Sequence, residues 1–210
     1  MDRQGDSNEA PAPRALTGHL PRWYPPGVER AVVMTGIGGQ GIQLIAKLLA
    51  EAAMREGKQV MMFGLFMGTI RGGSSESTVV VADEEIVSPP IVPEVWGVLA
   101  MHPEGLAKVA PKVRPGGVLL VNANLVTAPP AWEGVRLVSV PATEVAKGLG
   151  QPLGASMVAL GAFVAATALV GLDATTAALA DVVPAHRRQH IDANRRCLEA
   201  GAARVSAAAR

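Results

Sequence analysis

Apolar and polar residues alternate in blocks along the 210-residue chain, and the spacing inside each block predicts an element. Residues 31–34 form a short apolar run closed by glycine, which is typical of a buried strand. After the glycines, apolar and polar residues recur on opposite sides at helical spacing, and Gly57 ends this predicted helix. The apolar positions are Ile42, Ile45, Ala46, Leu49, Ala52 and Ala53, and the polar ones are Gln43, Lys47, Glu51 and Arg55. Residues 58–64 supply a second strand, so residues 31–63 predict a strand–helix–strand unit with a parallel crossover.

Later apolar runs predict four more strands: STVVVA (77–82), VWGVLAM (95–101), GVLLVN (117–122) and VRLVSV (135–140). A helical pattern covers residues 104–113 and is stopped by RPGG. The last 60 residues are helical in pattern, first in an Ala-rich stretch, then over 174–182 and 184–200, with Pro184 in a first helical turn. These elements predict an α/β, three-layer domain with a mostly parallel sheet, a Rossmann-like strand–glycine loop–helix start and a helical C-terminal part.

Composition divides the chain into two parts. Residues 1–29 are polar and Pro-rich and predict an extended arm, and residues 30–210 predict one globular domain. The arm carries Trp23 and Tyr24, two of the few aromatic residues, so we expect it to lie against this domain or against a partner; a solvated tail is the alternative. The arm lacks the apolar core of a secretory signal, so we expect a cytoplasmic protein.

Charge and cysteine content narrow the function classes. A net charge of +1 and an aromatic content of 3% argue against nucleic acid as a partner. The single cysteine, Cys197, excludes both a disulfide framework and a four-thiolate iron–sulfur cluster held by this chain. The uncharged stretch 148–172 is long enough to cross a bilayer, but its many Ala, Gly, Ser and Thr residues favour a helix buried within the protein, so we expect no membrane span.

The glycine cluster at residues 36–41 is the first candidate site. Gly36, Gly38 and Gly41, with Gly39 between them, fit G-x-G-x-x-G in a strand–loop–helix context, where backbone amides can receive a phosphate. A nicotinamide site also needs an acidic residue on the second strand, yet residues 59–70 contain none. Gln40 brings no charge for a triphosphate. Nicotinamide binding, a tight turn that only packs, and contact with another ligand or subunit all remain open.

The second candidate site is the stretch GTIRGGSSES at residues 68–77, which we expect to be a loop at one rim of the sheet. Arg71 with the amides of Gly72, Gly73, Ser74 and Ser75 could form a concave anion site for a carboxylate or phosphate. In the alternative, Arg71 pairs with Glu76 or caps a carbonyl in an ordinary loop. Ser74 has no base in a local motif, so no nucleophile is predicted.

His102, Asn122 and Asn124 follow predicted strands, at the rim where open α/β sheets bind ligands. His102 precedes a proline and is more typical of a helix entry than of a base. The stretch RRQHIDANRRC predicts a solvated helix face and lacks zinc-ligand spacing. We therefore predict neither a catalytic residue nor a metal site.

Four blocks in order carry a family resemblance: GIGGQGIQLIAKLLAEAA, RGGSSESTVVVADEEI, VPATEVAKGLG and MVALGAFVAATALVGL. Together they resemble the gamma subunit, or gamma domain, of thiamine-dependent 2-oxoacid:acceptor (ferredoxin) oxidoreductases, over residues 31–201. The resemblance implies a complex that takes a 2-oxoacid and CoA, releases carbon dioxide and passes two electrons through iron–sulfur clusters to ferredoxin or a related acceptor.

The resemblance also implies a division of labour among subunits. Thiamine diphosphate, magnesium and the clusters would belong to alpha, beta and iron–sulfur partners, while this chain would bind no cofactor alone and would be inactive by itself. It would pack on the thiamine-binding subunits, close over the active site and contact CoA. Residues 36–41 and 71–75 would then face the shared cleft, with Arg71 contacting the substrate carboxylate or a CoA phosphate.

Three features depart from the family pattern: the run LFMGTIRGGSSES around the Arg-Gly step, so that no substrate class is transferred, Ser156, where many members carry Asn, and the N-terminal arm. Two other function classes stay open beside the subunit: a free-standing Rossmann-type nicotinamide enzyme and a membrane-bound interaction protein.

Overall fold

The computed structural model describes residues 29–66, 73–87 and 92–208. The predicted arm therefore lies outside the described residues except for Glu29, which begins the first strand. In the described ranges the strands are β1 (Glu29–Ile37), β2 (Gln59–Phe66), β3 (Ser74–Ala82), β4 (Val95–Ala100), β5 (Val113–Asn122) and β6 (Arg136–Val140). The α-helices are α1 (Ile42–Arg55), α2 (Pro103–Val109), α3 (Ala142–Gly148), α4 (Ala155–Thr167), α5 (Leu172–Ala177), α6 (Leu179–Val182) and α7 (Ile191–Ala208).

The six strands form one mixed sheet in the order β2-β3-β1-β4-β5-β6. β1, β4, β5 and β6 pair in parallel, whereas β3 is antiparallel to both β1 and β2. This confirms the α/β class and corrects one detail, because β1 and β2 run in the same direction but β3 lies between them. The physical reason is the short connection of seven residues from β2 to β3, which suits an antiparallel pair, whereas a parallel neighbour needs a longer crossover.

The two faces of the sheet are covered by two separate cores. Side chains alternate along β1, so that Val32 and Met34 enter the first core and Ala31 and Val33 enter the second. The first core contains the apolar faces of α1, α3, α4 and α7, and the second contains α2 with the connection from β5 to β6. The three-layer prediction is therefore confirmed, with most of the helical mass on one face.

Helix α1 follows its predicted stripe. All six predicted apolar positions are buried, namely Ile42, Ile45, Ala46, Leu49, Ala52 and Ala53. The helix ends where glycine was predicted to end it: Gly57 adopts φ +76°, its N–H donates to Met54 O at 3.0 Å, and the Lys58 N–H donates to Ala53 O at 3.0 Å. This pair of bonds is a Schellman motif, which a residue able to adopt a left-handed conformation permits.

The Ala-rich stretch forms α4, and residues 156–164 of this helix are buried on all sides. The helix lies between the sheet and α7, which confirms the close helix packing that its small residues predicted. The two helices approach closely because Gly161 lies against the Leu198 carbonyl and Gly201 lies against the Val158 carbonyl. In the ranges that the structure describes, no helix combines the length and apolar character needed to cross a bilayer.

Two predicted boundaries differ from the structure. Helix α2 ends at Val109, a 3₁₀ turn follows over Ala110–Lys112, and the RPGG segment lies inside β5 rather than before it. β5 accommodates these residues through a register shift against β4, and Gly116 adopts φ +78° and donates its N–H to Gly134 O at 2.7 Å. Pro184 precedes a 3₁₀ segment, Ala185–His190, and the last α-helix starts only at Ile191.

Candidate functional site

The glycine loop, residues 36–41, connects the end of β1 to α1 and is closed by its own glutamine. The Gln40 Oε1 atom accepts a hydrogen bond from the Ile37 N–H at 2.9 Å, and the Gln40 N–H donates to Ile37 O at 3.2 Å. A Cβ atom on Gly36 would lie 2.4 Å from Gln40 Oε1, so glycine is required there for this fold-back. The Gln40 carbonyl group thus serves the loop itself.

The two glycine-rich segments of the sequence meet in space. The Gly38 N–H donates to Gly73 O at 2.9 Å, and Gly36 and Ile37 pair with Ser75 and Ser74. Ser74 and Ser75 were predicted in a loop; they instead begin β3, because β1 extends to Ile37 and gives them a partner strand. Arg71 and Gly72, the remaining residues of this candidate anion site, lie outside the described residues.

The amino end of α1 follows the glycine loop directly and is uncapped. The described residues provide no side-chain cap for this 14-residue helix, and its first turn has no acidic residue. An uncapped helix start leaves backbone N–H groups unsatisfied and carries the positive end of the helix dipole. The N–H groups of Ile37, Gly38 and Gln40 are already bonded within the fold, so it is the start of α1 that could receive an anion such as phosphate or carboxylate.

Gln43 fixes this helix end to the sheet, a contact that its place in the predicted polar stripe did not indicate. Its Nε2 donates to Glu76 O at 3.0 Å, and its Oε1 accepts from the Ser77 hydroxyl at 3.3 Å. The sequence carries no signal for these contacts, because the partner residues are 33 and 34 positions away. Gln43 positions the loop through α1 and β3.

The sheet order places the loop at a topological switch point. From β1 the chain moves to one side of the sheet, towards β2 and β3, and then returns to the other side through β4. Open α/β sheets bind ligands at the carboxyl ends of strands that flank such a point. Here those ends are Ile37 of β1 and Ala100 of β4, so the glycine loop lies at the position that the fold favours for a ligand.

His102 follows the carboxyl end of β4 and caps the amino end of α2. Its Nδ1 accepts a hydrogen bond from the Glu104 N–H at 3.3 Å, and Pro103 occupies the first position of α2. This confirms the helix-entry interpretation. The neighbouring Thr35 hydroxyl is buried without a hydrogen-bond partner among the described residues, since Gly105 of α2 packs directly over it.

Asn122 and Asn124 lie at the carboxyl end of β5 and support α3. The Asn122 amide donates to the Thr143 hydroxyl at 2.9 Å, and the Asn124 side-chain oxygen accepts from the backbone N–H groups of Thr143 and Glu144 at 3.0 and 3.1 Å. Asn124 thus satisfies the amino end of α3 from outside the helix. These side chains position a helix at the same rim as the glycine loop.

Ser156, one of the departures from the family pattern, contacts the glycine loop. A Cβ atom on Gly41 would lie 2.9 Å from Ser156 Oγ, and Ser156 is 3% exposed. Gly41 itself adopts φ +76° and precedes α1. The amino end of α4 therefore forms one wall of the loop, which makes Ser156 a local determinant of the loop's shape.

We expect Gly41→Ala to lower the free energy of unfolding by about 2 kcal/mol, because alanine resists the left-handed conformation and its Cβ meets Ser156. Gly39→Ala is the matched control: Gly39 also has positive φ (+93°) but nothing within 4 Å of its Cβ position, so the expected loss is about 1 kcal/mol. Adding Ser156→Ala to Gly41→Ala should restore the steric part of the loss only. Urea unfolding of the two single glycine variants and of this double variant measures the effect, and equal losses at Gly39 and Gly41 would contradict the contact.

Fold and loop together define an α/β domain whose glycine loop lies at the switch point of its sheet, before an uncapped helix. The pyruvate ferredoxin/flavodoxin oxidoreductase family model matches residues 31–204, so the chain belongs to this family.

Individual relatives agree with the family assignment. The chain is 35% identical over 176 residues to ketoisovalerate oxidoreductase subunit VorA of Methanothermobacter thermautotrophicus, a match that covers 83% of this chain and 36% of VorA. It is 30% identical over 161 residues to 2-oxoglutarate synthase subunit KorC of Methanocaldococcus jannaschii, covering 75% of this chain and 85% of KorC. The chain therefore spans only about a third of the VorA polypeptide.

Among solved structures, the gamma subunit of a keto/oxoacid ferredoxin oxidoreductase from Geobacter sulfurreducens matches with a TM-score of 0.74 and 30% identity. The match covers 86% of this chain and 98% of that subunit. The resemblance to gamma subunits is thereby confirmed, and the alternative of a free-standing nicotinamide enzyme finds no support in these matches.

Proposed function

We propose that this chain is the gamma subunit of a multisubunit 2-oxoacid:acceptor oxidoreductase, which decarboxylates a 2-oxoacid in a CoA-dependent oxidation and passes the electrons to ferredoxin or a similar acceptor. The observation that carries the proposal is the match to 98% of a solved gamma subunit. That match spans nearly the whole length of the solved gamma subunit, which supports a gamma-subunit role for this chain.

The residues of the chain support a role without redox cofactors of its own. A cluster of the usual kind takes four cysteine thiolates, and this sequence contains one cysteine, which is buried. We infer that thiamine diphosphate, magnesium and iron–sulfur clusters reside in alpha, beta and iron–sulfur partner subunits. The chain then supplies a scaffold that packs on the thiamine-binding subunits and covers their active site, in a cytoplasmic complex.

The glycine loop and the start of β3 are the surface that we propose to face the shared cleft. The direct bond between Gly38 and Gly73 joins the two segments, and the uncapped end of α1 points its positive pole towards the same loop. The uncapped backbone amides at the start of α1 would bind a CoA phosphate or the substrate carboxylate. Arg71, five residues before Glu76 in the sequence, would add a bidentate charged contact.

Reconstitution with the partner subunits tests the proposal. Tagged chain is co-expressed with thiamine-binding and iron–sulfur subunits from the same source, and CoA-dependent reduction of a viologen dye is measured with pyruvate, 2-oxoglutarate and ketoisovalerate. The chain alone should be inactive with every substrate, and the complex should lose at least about 90% of its activity when the chain is omitted. Turnover by the isolated chain, or full activity without it, would overturn the proposal.

The same assay tests the loop separately from the subunit assignment. Arg71→Ala in the assembled complex should raise the KM for CoA or for the 2-oxoacid about tenfold, as expected for one lost charged contact. Arg204→Ala, at an exposed position on α7, is the matched control and should leave both constants unchanged. Unchanged constants in Arg71→Ala would remove Arg71 from the site and leave the subunit role intact.

A further inference from the structure

A shallow groove of about 280 Å³ lies at the amino end of β5, on the face of the sheet that α2 covers. It is far from the glycine loop, which lies at the carboxyl ends of the strands. Its described lining includes two exposed prolines, two half-buried valines, one half-buried tryptophan and one carboxylate: Pro111, Pro115, Val113, Val135, Trp132 and Glu133.

The chemistry of the groove suits an extended, proline-rich peptide. Proline-rich segments bind grooves lined by aromatic rings, where the stiff polyproline conformation limits the entropy lost on binding. Glu133 is the one charged residue among the described lining residues, so the groove offers a partner for a cation and none for a phosphate. The volume accommodates a few side chains, which fits a strand-like segment better than a helix.

We propose that residues 21–26 of this same chain, Pro-Arg-Trp-Tyr-Pro-Pro, bind in this groove. β1, β4 and β5 are parallel, so their amino ends lie at one rim of the sheet. Two strand spacings, about 10 Å, separate the start of β1 from β5. Tyr24 precedes Glu29 by five residues, which span up to about 17 Å, so the chain is long enough for Tyr24 to reach the groove.

The segment also matches the groove residue by residue. Pro25 and Pro26 favour the extended conformation, and the two aromatic residues before them can stack on Trp132 and the proline rings. The described residues that line the groove include no cation to pair with Glu133, and Arg22 would supply one. This occupant gives Trp23 and Tyr24 an apolar surface within the chain itself.

Selective cross-linking in the full chain tests the proposal. Cys197 is fully buried and burial raises the pKa of its thiol, so maleimides should spare it and react with introduced cysteines. Leu20→Cys is combined with Ala131→Cys, an exposed position beside the groove, and treated with a short bis-maleimide. The control pair combines Leu20→Cys with Leu153→Cys, which is 91% exposed next to the start of α4 at the opposite rim.

We expect the first pair to cross-link within one chain about tenfold more than the control pair, and Trp132→Ala to abolish most of that excess. Because Trp132→Ala could perturb the fold, Arg22→Glu provides a second test: it should reduce the yield, and Glu133→Arg should restore it. Equal yields for both pairs, or a yield insensitive to Arg22→Glu, would overturn the proposal. Products that are mainly dimeric and rise with protein concentration would also overturn it, since they would show a second copy as the occupant.

Discussion

Replacing Gly161 with alanine should lower the free energy of unfolding by about 3 kcal/mol, and Gly201→Ala should do the same. In each case the new Cβ atom would lie 1.9 Å from a backbone carbonyl oxygen, that of Leu198 for Gly161 and that of Val158 for Gly201. Backbone atoms on a packed helix cannot rotate away as a side chain can, so α4 and α7 would have to separate. Urea unfolding followed by circular dichroism measures the loss.

Gly148→Ala is the matched control for this prediction. Gly148 is also helical, at the end of α3, but nothing lies within 4 Å of its Cβ position, so alanine should be neutral or slightly stabilising. Losses below about 1 kcal/mol at both Gly161 and Gly201 would show that the two helices are further apart than the structure has them. The contact matters for the site because α4 carries Ser156, which contacts the glycine loop.

Truncating Phe163 to alanine is expected to lower the free energy of unfolding by 3–5 kcal/mol, roughly the range for a large aromatic residue removed from a core. Phe163 is fully buried in α4 and packs edge-to-face on Trp96, with ring centroids 6.4 Å apart and an interplanar angle of 80°. It also fills the space over Gly97 of β4, where a Cβ atom would lie 2.9 Å from the ring. Thermal and urea unfolding both report this loss.

The space shared by Phe163 and Gly97 supplies the control for this second prediction. Gly97→Ala alone should cost about 1–3 kcal/mol through overpacking against the ring. Combined with Phe163→Leu, the added methyl group should cost less, because the smaller side chain leaves room for it. Strictly additive effects in the double variant would show that the two residues do not share this space.

Much of the fold could be predicted because it depends on local patterns. The helical stripe of α1, the glycine at its end and the apolar runs of the strands all reflect burial of one face or both, which any sequence reading can detect. His102 could be read as a helix entry because the following proline is a local signal. The uncharged Ala-rich stretch likewise indicated a helix surrounded by protein.

The remaining features depend on partners distant in sequence. The sequence places β2 directly after α1, but only pairing decides that β3 lies between β1 and β2. RPGG is a common breaker, yet β5 absorbs it because Gly116 bonds to Gly134 across the next connection. Asn124 was a candidate ligand-binding residue because it follows a strand. Its capping of α3 could not be predicted, because the two N–H groups that it accepts from are 19 and 20 positions away in the sequence.

Patterns along the chain were enough to predict the α/β class, the order and type of the main elements and, through four blocks of residues, the family. Those properties follow from periodicity and from short motifs, which are encoded within a few neighbouring residues. The folded structure was needed to show that Gly73 bonds to the glycine loop, that Gln40 folds back to close it and that Ser156 forms its wall. These contacts join segments up to about 120 residues apart, and burial patterns specify which residues are inside without specifying which of them touch.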